Sequence, residues 1–386
     1  MLNADDALDT QAAVRRANVR RALQLVFDAP GVQTRAGISR ATGLTAATAS
    51  SLVAELLDDR LVVEGAQAAS TGGKRATTLD IDVDHHLILV VILRPTDARI
   101  TLISLAGGEV DARRVDFTDG SRERVLATAL SAVADDYGDR LLIAAVQLPG
   151  TTDGRTVLES VQLDWRDVPL AERLETVLGV PVLLVNDVDA EAIAEAGADG
   201  PRSGHRLFIH VGGGIGAAVT LDGELAPGPR HRAGEIGHVQ VVFGEAARAC
   251  RCGRTGCLES AAALGPMLGQ DFSDALDVDE IRALVARADQ RDLDEGARAL
   301  ARAIKLLSAL LDPAEIVIGG PGAVLGDRFL DLVRAETDYA ATGTARVPVR
   351  YADPAISLAA GPAQAALTAS LGVRWMPPQL PRRVLQ

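Results

Sequence analysis

Apolar positions spaced three and four apart open the readable part of the chain. Within VRRANVRRALQLVFD, residues 14–28, Val19, Leu23 and Val26 fall on one stripe, which predicts a helix. In the segment that follows, Thr34 is placed to cap a short helix that stops at Gly43, and Thr45 to cap another that runs to about Asp59. Leu52, Val53, Leu56 and Leu57 give the second of these an apolar face. Ala46, Ala47, Thr48, Ser50 and Ser51 are small and lie away from it. The period then changes from helical to alternating. RLVVEG reads as a strand, AQAASTGGKRA as a loop and TTLDID as a returning strand.

Two helices joined by a tight glycine turn, followed by a hairpin, match the plan of a winged helix-turn-helix. Small residues at the start of the second helix let its backbone approach base edges closely. The DNA contacts expected on this plan are Arg35, Thr45, Ala46, Ala47, Thr48, Ser50 and Ser51, with Lys74 and Arg75 at the tip of the wing beside Gly72 and Gly73. The competing reading is a three-helix bundle with a hairpin that serves only dimerisation. Residues 1–82 form this expected domain and residues 83–386 the body.

The body alternates strand and helix patterns. LILVVIL (87–93), RITLISL (99–105) and EVDARRVDF (109–117) predict three consecutive strands. SRERVLATALSAVADDYG predicts an amphipathic helix with Val125, Leu126, Leu130 and Val133 inward, and LLIAAVQLPG a buried strand. VPVLLVND then reads as strand, VDAEAIAEAG as helix, HRLFIHVGGGIGAAVTLDG as two strands around glycines, EGARALARAIKLLSALLD as a long helix and PAEIVIGGPG as a strand. Strands alternating with helices mean an α/β fold.

Composition adds limits. With 48% hydrophobic but only 3% aromatic residues, the 386-residue chain must build its core from Ala, Val, Leu and Ile. No apolar run reaches the roughly 18–20 residues of a membrane span, so no membrane partner is expected. The polar, acidic start lacks the apolar stretch of a signal peptide, and three cysteines in the whole chain suit a reducing cytoplasm. The net charge of −13 argues against nucleic acid until its distribution is counted. Residues 1–80 carry nine basic and nine acidic side chains, so the excess negative charge lies in the body.

Those three cysteines, Cys250, Cys252 and Cys257, fall within eight positions of ACRCGRTGCLES. The spacing is too tight to staple distant parts of a large domain. Three thiolates and one imidazole make a closed tetrahedral zinc site with no position left for water. His238, His231 and His210 are the imidazoles at hand. Three buried free thiols are the plainer alternative.

The landmarks also occur in a telling order: QLPG at 147–150, LDW at 163–165, VND at 185–187, GGGIGAAVTLDGEL at 212–225, AGEIGHV at 233–239, CRCGRTGCLE at 250–259 and LLDPAEIVIGG at 310–320. This series resembles the ROK family of repressors, open reading frames and kinases along essentially the whole chain. The resemblance implies a two-lobed, actin-like (sugar-kinase) fold behind a winged helix-turn-helix. It implies structural Zn2+ held by His238, Cys250, Cys252 and Cys257 in a loop spanning 235–259. It also implies a sugar or sugar-phosphate effector in the cleft between lobes, contacted by Asn186, Asp187, Glu235, His238 and Glu259, with Gly150 allowing close approach. Homodimers or homotetramers are implied as well, as is repression of operator DNA.

Kinases of the family keep a DxGGT phosphate loop between the first two body strands, and Asp187 sits where they keep the general base. Here that loop reads VVILRPTDARI, with no paired glycines and with Pro95 removing a backbone N–H. The later GTGIGGG stretch is GGGIGAA, with Gly213 in place of threonine. A non-enzymatic sugar sensor is therefore expected. The alternative is an ATP-dependent sugar kinase with an appended DNA-binding head.

Overall fold

The computed structural model describes residues 10–67, 76–117, 122–198, 204–272, 276–338 and 347–374. Two compact units result, one of residues 1–185 with 362–386 and the other of residues 186–361.

The first unit opens with helices α1 (Thr10–Asp28), α2 (Arg35–Thr42) and α3 (Ala46–Asp58). Thr34 accepts the Gly37 N–H and starts α2, and Gly43 ends it in a left-handed turn at φ 74°. Thr45 accepts the Thr48 N–H and starts α3. Ala22, Leu23, Val26, Ile38, Leu52, Val53 and Leu56 are buried, so the apolar stripes of the three helices share one core. Strands β1 (Val62–Gln67) and β2 (Thr77–Ile81) pair antiparallel. The chain before α2 adds a third line of pairing to β2, through a Thr34–Thr78 bridge and a Leu79 N–H donating to the Gln33 carbonyl at 2.8 Å. This is the expected winged helix-turn-helix. The wing tip, with Lys74 and Arg75, lies outside the described residues.

Next come β3 (Leu87–Leu93), β4 (Asp97–Ser104), β5 (Glu109–Asp116), α4 (Arg122–Tyr137) and β6 (Leu141–Leu148). A small antiparallel sheet of β7 (Thr151–Thr152), β8 (Val157–Ser160) and β9 (Trp165–Val168) follows, then α5 (Leu170–Leu178) and β10 (Val182–Asn186). Among the described residues the main sheet has the order β10-β6-β3-β4-β5. The β3–β4 and β4–β5 pairs are antiparallel and β3–β6 is parallel. Leu89, Val91, Leu102 and Val146 pack on one face against Leu126, Leu130 and Val133 of α4 and Leu170, Leu174 and Leu178 of α5.

The end of the chain returns to the head. Val373 is fully buried, and the Gln24 side-chain amide of α1 donates to the Arg374 carbonyl at 2.8 Å and accepts its N–H at 2.6 Å. The expected boundary at residue 82 therefore falls inside one compact unit.

The second unit begins as β10 gives way to α6 (Asp187–Ala198). It continues through β11 (His205–Val211), β12 (Ile215–Leu221), β13 (Glu224–Leu225), α7 (Leu258–Ala262), α8 (Leu264–Leu268), α9 (Val278–Val285), α10 (Gln290–Leu311), β14 (Glu315–Gly319), α11 (Asp327–Thr337) and β15 (Val349–Tyr351). Helix α12 (Ala360–Leu371) completes the elements. The sheet order is β13-β12-β11-β14-β15. Read outward from the third strand, both main sheets run third, second, first, fourth, fifth, so the two units repeat one plan. Leu207, Ile209, Ile316 and Ile318 face α10 and α11, while Phe208 and Val317 face Ala192 of α6. Among the described residues no helix is long and apolar enough to cross a membrane.

Candidate functional site

The metal-ligand cluster forms as its donor chemistry predicts. His238 ends a single 3-10 turn (Ile236–His238), and Cys257 immediately precedes α7. The donor atoms of His238, Cys250, Cys252 and Cys257 all lie within 4.8 Å of one another. Cys250 Sγ is 3.6 Å from His238 Nδ1, and Cys252 Sγ is 3.7 Å from Cys257 Sγ. A tetrahedral ion with metal–sulfur bonds of about 2.3 Å and a metal–nitrogen bond of about 2.0 Å has edges of about 3.8 Å between sulfurs and about 3.5 Å from sulfur to nitrogen. The four residues thus fit a closed metal site. Because Nδ1 faces the sulfurs, Nε2 is the ring nitrogen left for other contacts. The competing imidazoles stand elsewhere: His210 Nδ1 pairs with Glu191 at 3.1 Å, and His231 is outside the cluster.

The loop around these thiols is stitched to the segment after His238. Val241 and Val242 N–H groups both donate to the Gly256 carbonyl, and Leu258 N–H donates to Val239. Burial, with the neighbouring thiols, pushes Cys257 up to about 12, so a metal must displace its proton to bind there.

The remaining expected ligand contacts of the second unit converge on β12. Helix α6 packs across this strand, with Val188, the neighbour of Asp187, against Gly216. The turn before Glu235 crosses it so closely that a Cβ on Gly234, at φ +95°, would sit 1.7 Å from the Ala217 carbonyl oxygen. Glu259, 9% exposed in the first turn of α7, accepts the Ile215 N–H at 3.4 Å. Asn186 has a local duty: its Oδ1 accepts the Asp189 N–H at 3.0 Å and starts α6. Gly150 lies in the first unit at φ +116°, where a Cβ would meet the Glu159 carbonyl at 2.4 Å. Its missing side chain is thus required by packing on β8.

Two residues join this picture that the motifs did not single out. Asp189 follows Asp187 by two in VNDVD. Burial, with the carboxylates of Asp187 and Glu235 nearby, pushes it up to about 7. Arg251 stands between two metal-ligand cysteines and forks onto Glu259, Nε to Oε1 at 2.8 Å and Nη2 to Oε2 at 3.0 Å. Both were visible only as neighbours of motif residues.

The Asp189 shift has a consequence for stability. A carboxyl whose native value is raised binds its proton more tightly folded than unfolded. Its contribution is present below about pH 4 and is lost as pH rises through about 7. Asp189→Asn is therefore expected to be more stable than the parent at pH 8 by about 1–3 kcal/mol and to converge with it near pH 4. Urea unfolding at the two pH values measures this.

On the head, Thr45, Ala46, Ala47, Ser50 and Ser51 are exposed and Thr48 is half-buried. The Thr45 and Thr48 hydroxyls bond each other at 2.9 Å, Ser51 receives Arg15 at 3.4 Å, and Arg35 pairs with Glu64 at 2.8 Å. In the body, the β3–β4 turn is closed by the Arg94 N–H donating to the Asp97 carbonyl at 2.8 Å, and the Pro95 carbonyl accepts from Arg122 at 3.0 Å.

Residues 94–368, more than half of the chain, match the ROK family. The chain belongs to the ROK family. Its fold is the family's actin-like sugar-kinase architecture. A solved ROK family transcriptional regulator, described as a homologue of the Escherichia coli Mlc protein, superposes with a TM-score of 0.73 over 93% of this chain and 98% of its own, at 22% identity. The xylose repressor of Caldicellulosiruptor bescii is 26% identical over 330 residues, 78% of this chain and 82% of that protein. The glucokinase of Halalkalibacterium halodurans is 33% identical over 201 residues, 46% of this chain and 60% of that protein. This ROK chain thus has relatives named for repression and relatives named for sugar phosphorylation.

Proposed function

We propose that the chain is a sugar-responsive transcriptional repressor. Its head binds operator DNA through α3 and the wing, with Arg35 and residues 45–51 nearest the duplex and Lys74 and Arg75 on the phosphates. Its body binds a sugar or sugar phosphate through Asp187, Glu235, His238 and Glu259, with Asn186 as a further contact. Structural zinc on His238, Cys250, Cys252 and Cys257 holds the loop that carries Glu259. Two or four copies assemble, since helix-turn-helix heads commonly read palindromes in pairs.

The observation that carries this reading is the exposed, small-residue start of α3 backed by a wing. A long side chain or an acid there would hold the backbone away from base edges. The sugar half of the reading rests on the family and on carboxylates and an imidazole drawn to one strand, a set that suits paired hydroxyls.

A second reading is supported by Asp187, which stands where ROK kinases keep their base, and by the glucokinase relative. Phosphoryl transfer needs backbone donors around the ATP phosphates. In the β3–β4 turn the Arg94 N–H is already bonded and Pro95 has none, which favours a sensor. A coupled assay with ATP and a panel of pentoses, hexoses and amino sugars separates the two. The proposal expects binding without turnover, and sugar-dependent ADP release contradicts it.

A further inference from the structure

We infer that Arg251 is the positioning residue for Glu259, and that its place between two cysteines makes effector recognition depend on the metal loop. The inference rests on the reading of Glu259 as a hydroxyl acceptor. Arg251 sits between Cys250 and Cys252, so its backbone is fixed on both sides by the ligand cluster. Its guanidinium meets Glu259 as a fork, at 2.8 and 3.0 Å. Among the described residues it has no second carboxylate partner.

The pair lies flush on the glycine turn before β12. A Cβ on Gly214 would stand 2.9 Å from Glu259 Oε2 and 3.2 Å from Arg251 Nη2. Glu259 is thus enclosed by that turn, by the Ile215 N–H and by one guanidinium.

The chemistry follows from counting lone pairs. An ionised carboxylate offers about four acceptor sites, and a bidentate arginine takes two. The Ile215 N–H takes a third, and one remains for a hydroxyl donor from a ligand, in a direction set by the fork. Without the guanidinium, a nearly buried carboxylate loses the cation that pairs with it and its orientation. Lysine restores a charge but not the fork. Cys250 and Cys252 would be held by a bound metal, and through them Arg251 and the carboxylate it grips. Cys257, a third member of the cluster, precedes the same residue by two positions in the chain.

The test uses the full chain with metal content measured by plasma mass spectrometry. Arg251→Ala should keep its metal, since no ligand is removed. Calorimetric titration with D-xylose, D-glucose and N-acetylglucosamine should show about tenfold or weaker binding of whichever sugar the parent binds best, about 1.4 kcal/mol. Arg251→Lys should recover part of that loss. Unchanged or tighter binding by metal-loaded Arg251→Ala overturns the inference.

A second measurement does not need the sugar. Phenylglyoxal labelling of Arg251, read by peptide mass spectrometry, should be slow in the metal-loaded parent. It should be faster after chelation, and faster in Glu259→Gln that still holds metal. Equal labelling in all three states overturns the inference even where none of the three sugars binds. Absence of sugar binding with the labelling pattern intact contradicts the proposed ligand site and leaves the Arg251 link standing.

Discussion

Cys257→Ser should strip the chain of its metal and cost at least about 3 kcal/mol of stability. Three things make this large. The thiol is one of four donors in a closed set, and three donors hold an ion far less well. Its side chain is fully buried, so serine leaves a hydroxyl where a sulfur had packed. Its backbone is also paired with Gln240, and the flanking Gly256 and Leu258 bond to residues 239, 241 and 242, so the loop and the His238 turn loosen together. For a unit of this size the loss corresponds to a melting-point drop of roughly 6–12 °C. Differential scanning calorimetry with metal analysis measures both effects. A variant that retains one metal per chain, or melts with the parent, refutes the Cys3His assignment.

Ser50→Glu should weaken binding to a duplex selected from a random pool by about a hundredfold or more, with the melting temperature within about 2 °C of the parent. Ser50 is exposed on the face of α3 opposite Leu52, Val53 and Leu56, so the change leaves the core alone. A carboxylate there would face phosphates and unmatched base edges, and it opposes the electrostatic attraction that supplies much of DNA affinity. Fluorescence anisotropy at fixed salt reads the change. An unaltered affinity assigns α3 to dimerisation or to packing, the reading a bare three-helix bundle supports.

Legibility in the sequence followed the strength of local signals. Thr34, Gly43 and Thr45 marked helix ends that the structure reproduces, because caps act within three residues. LILVVIL coincides with β3, since a fully buried strand is one continuous apolar run. The small sheet of β7, β8 and β9 escaped because strands of two to four residues are too short to alternate. The repeated strand order of the two units escaped because it conserves topology and not residue type. The attachment of Arg374 to Gln24 escaped because it joins positions 350 residues apart through one amide.

At the site, the cysteine spacing pointed to a metal but left three imidazoles open, and the ROK resemblance implied His238, whose donor atom the structure brings to the three thiols. Spacing said nothing of Asp189 or Arg251, whose importance comes from which carboxylates they meet in space. The same holds for Arg35, whose expected freedom to contact DNA meets an ion pair with Glu64.

The most direct measurement is the affinity of the full chain for its selected duplex, by anisotropy, with and without saturating D-xylose, D-glucose or N-acetylglucosamine. A head that reads DNA and a body that reads sugar in one linked system predict that at least one sugar shifts the dissociation constant about tenfold or more. A pool that yields no preferred duplex contradicts the account. So does DNA affinity that stays constant in the presence of a sugar shown by calorimetry to bind.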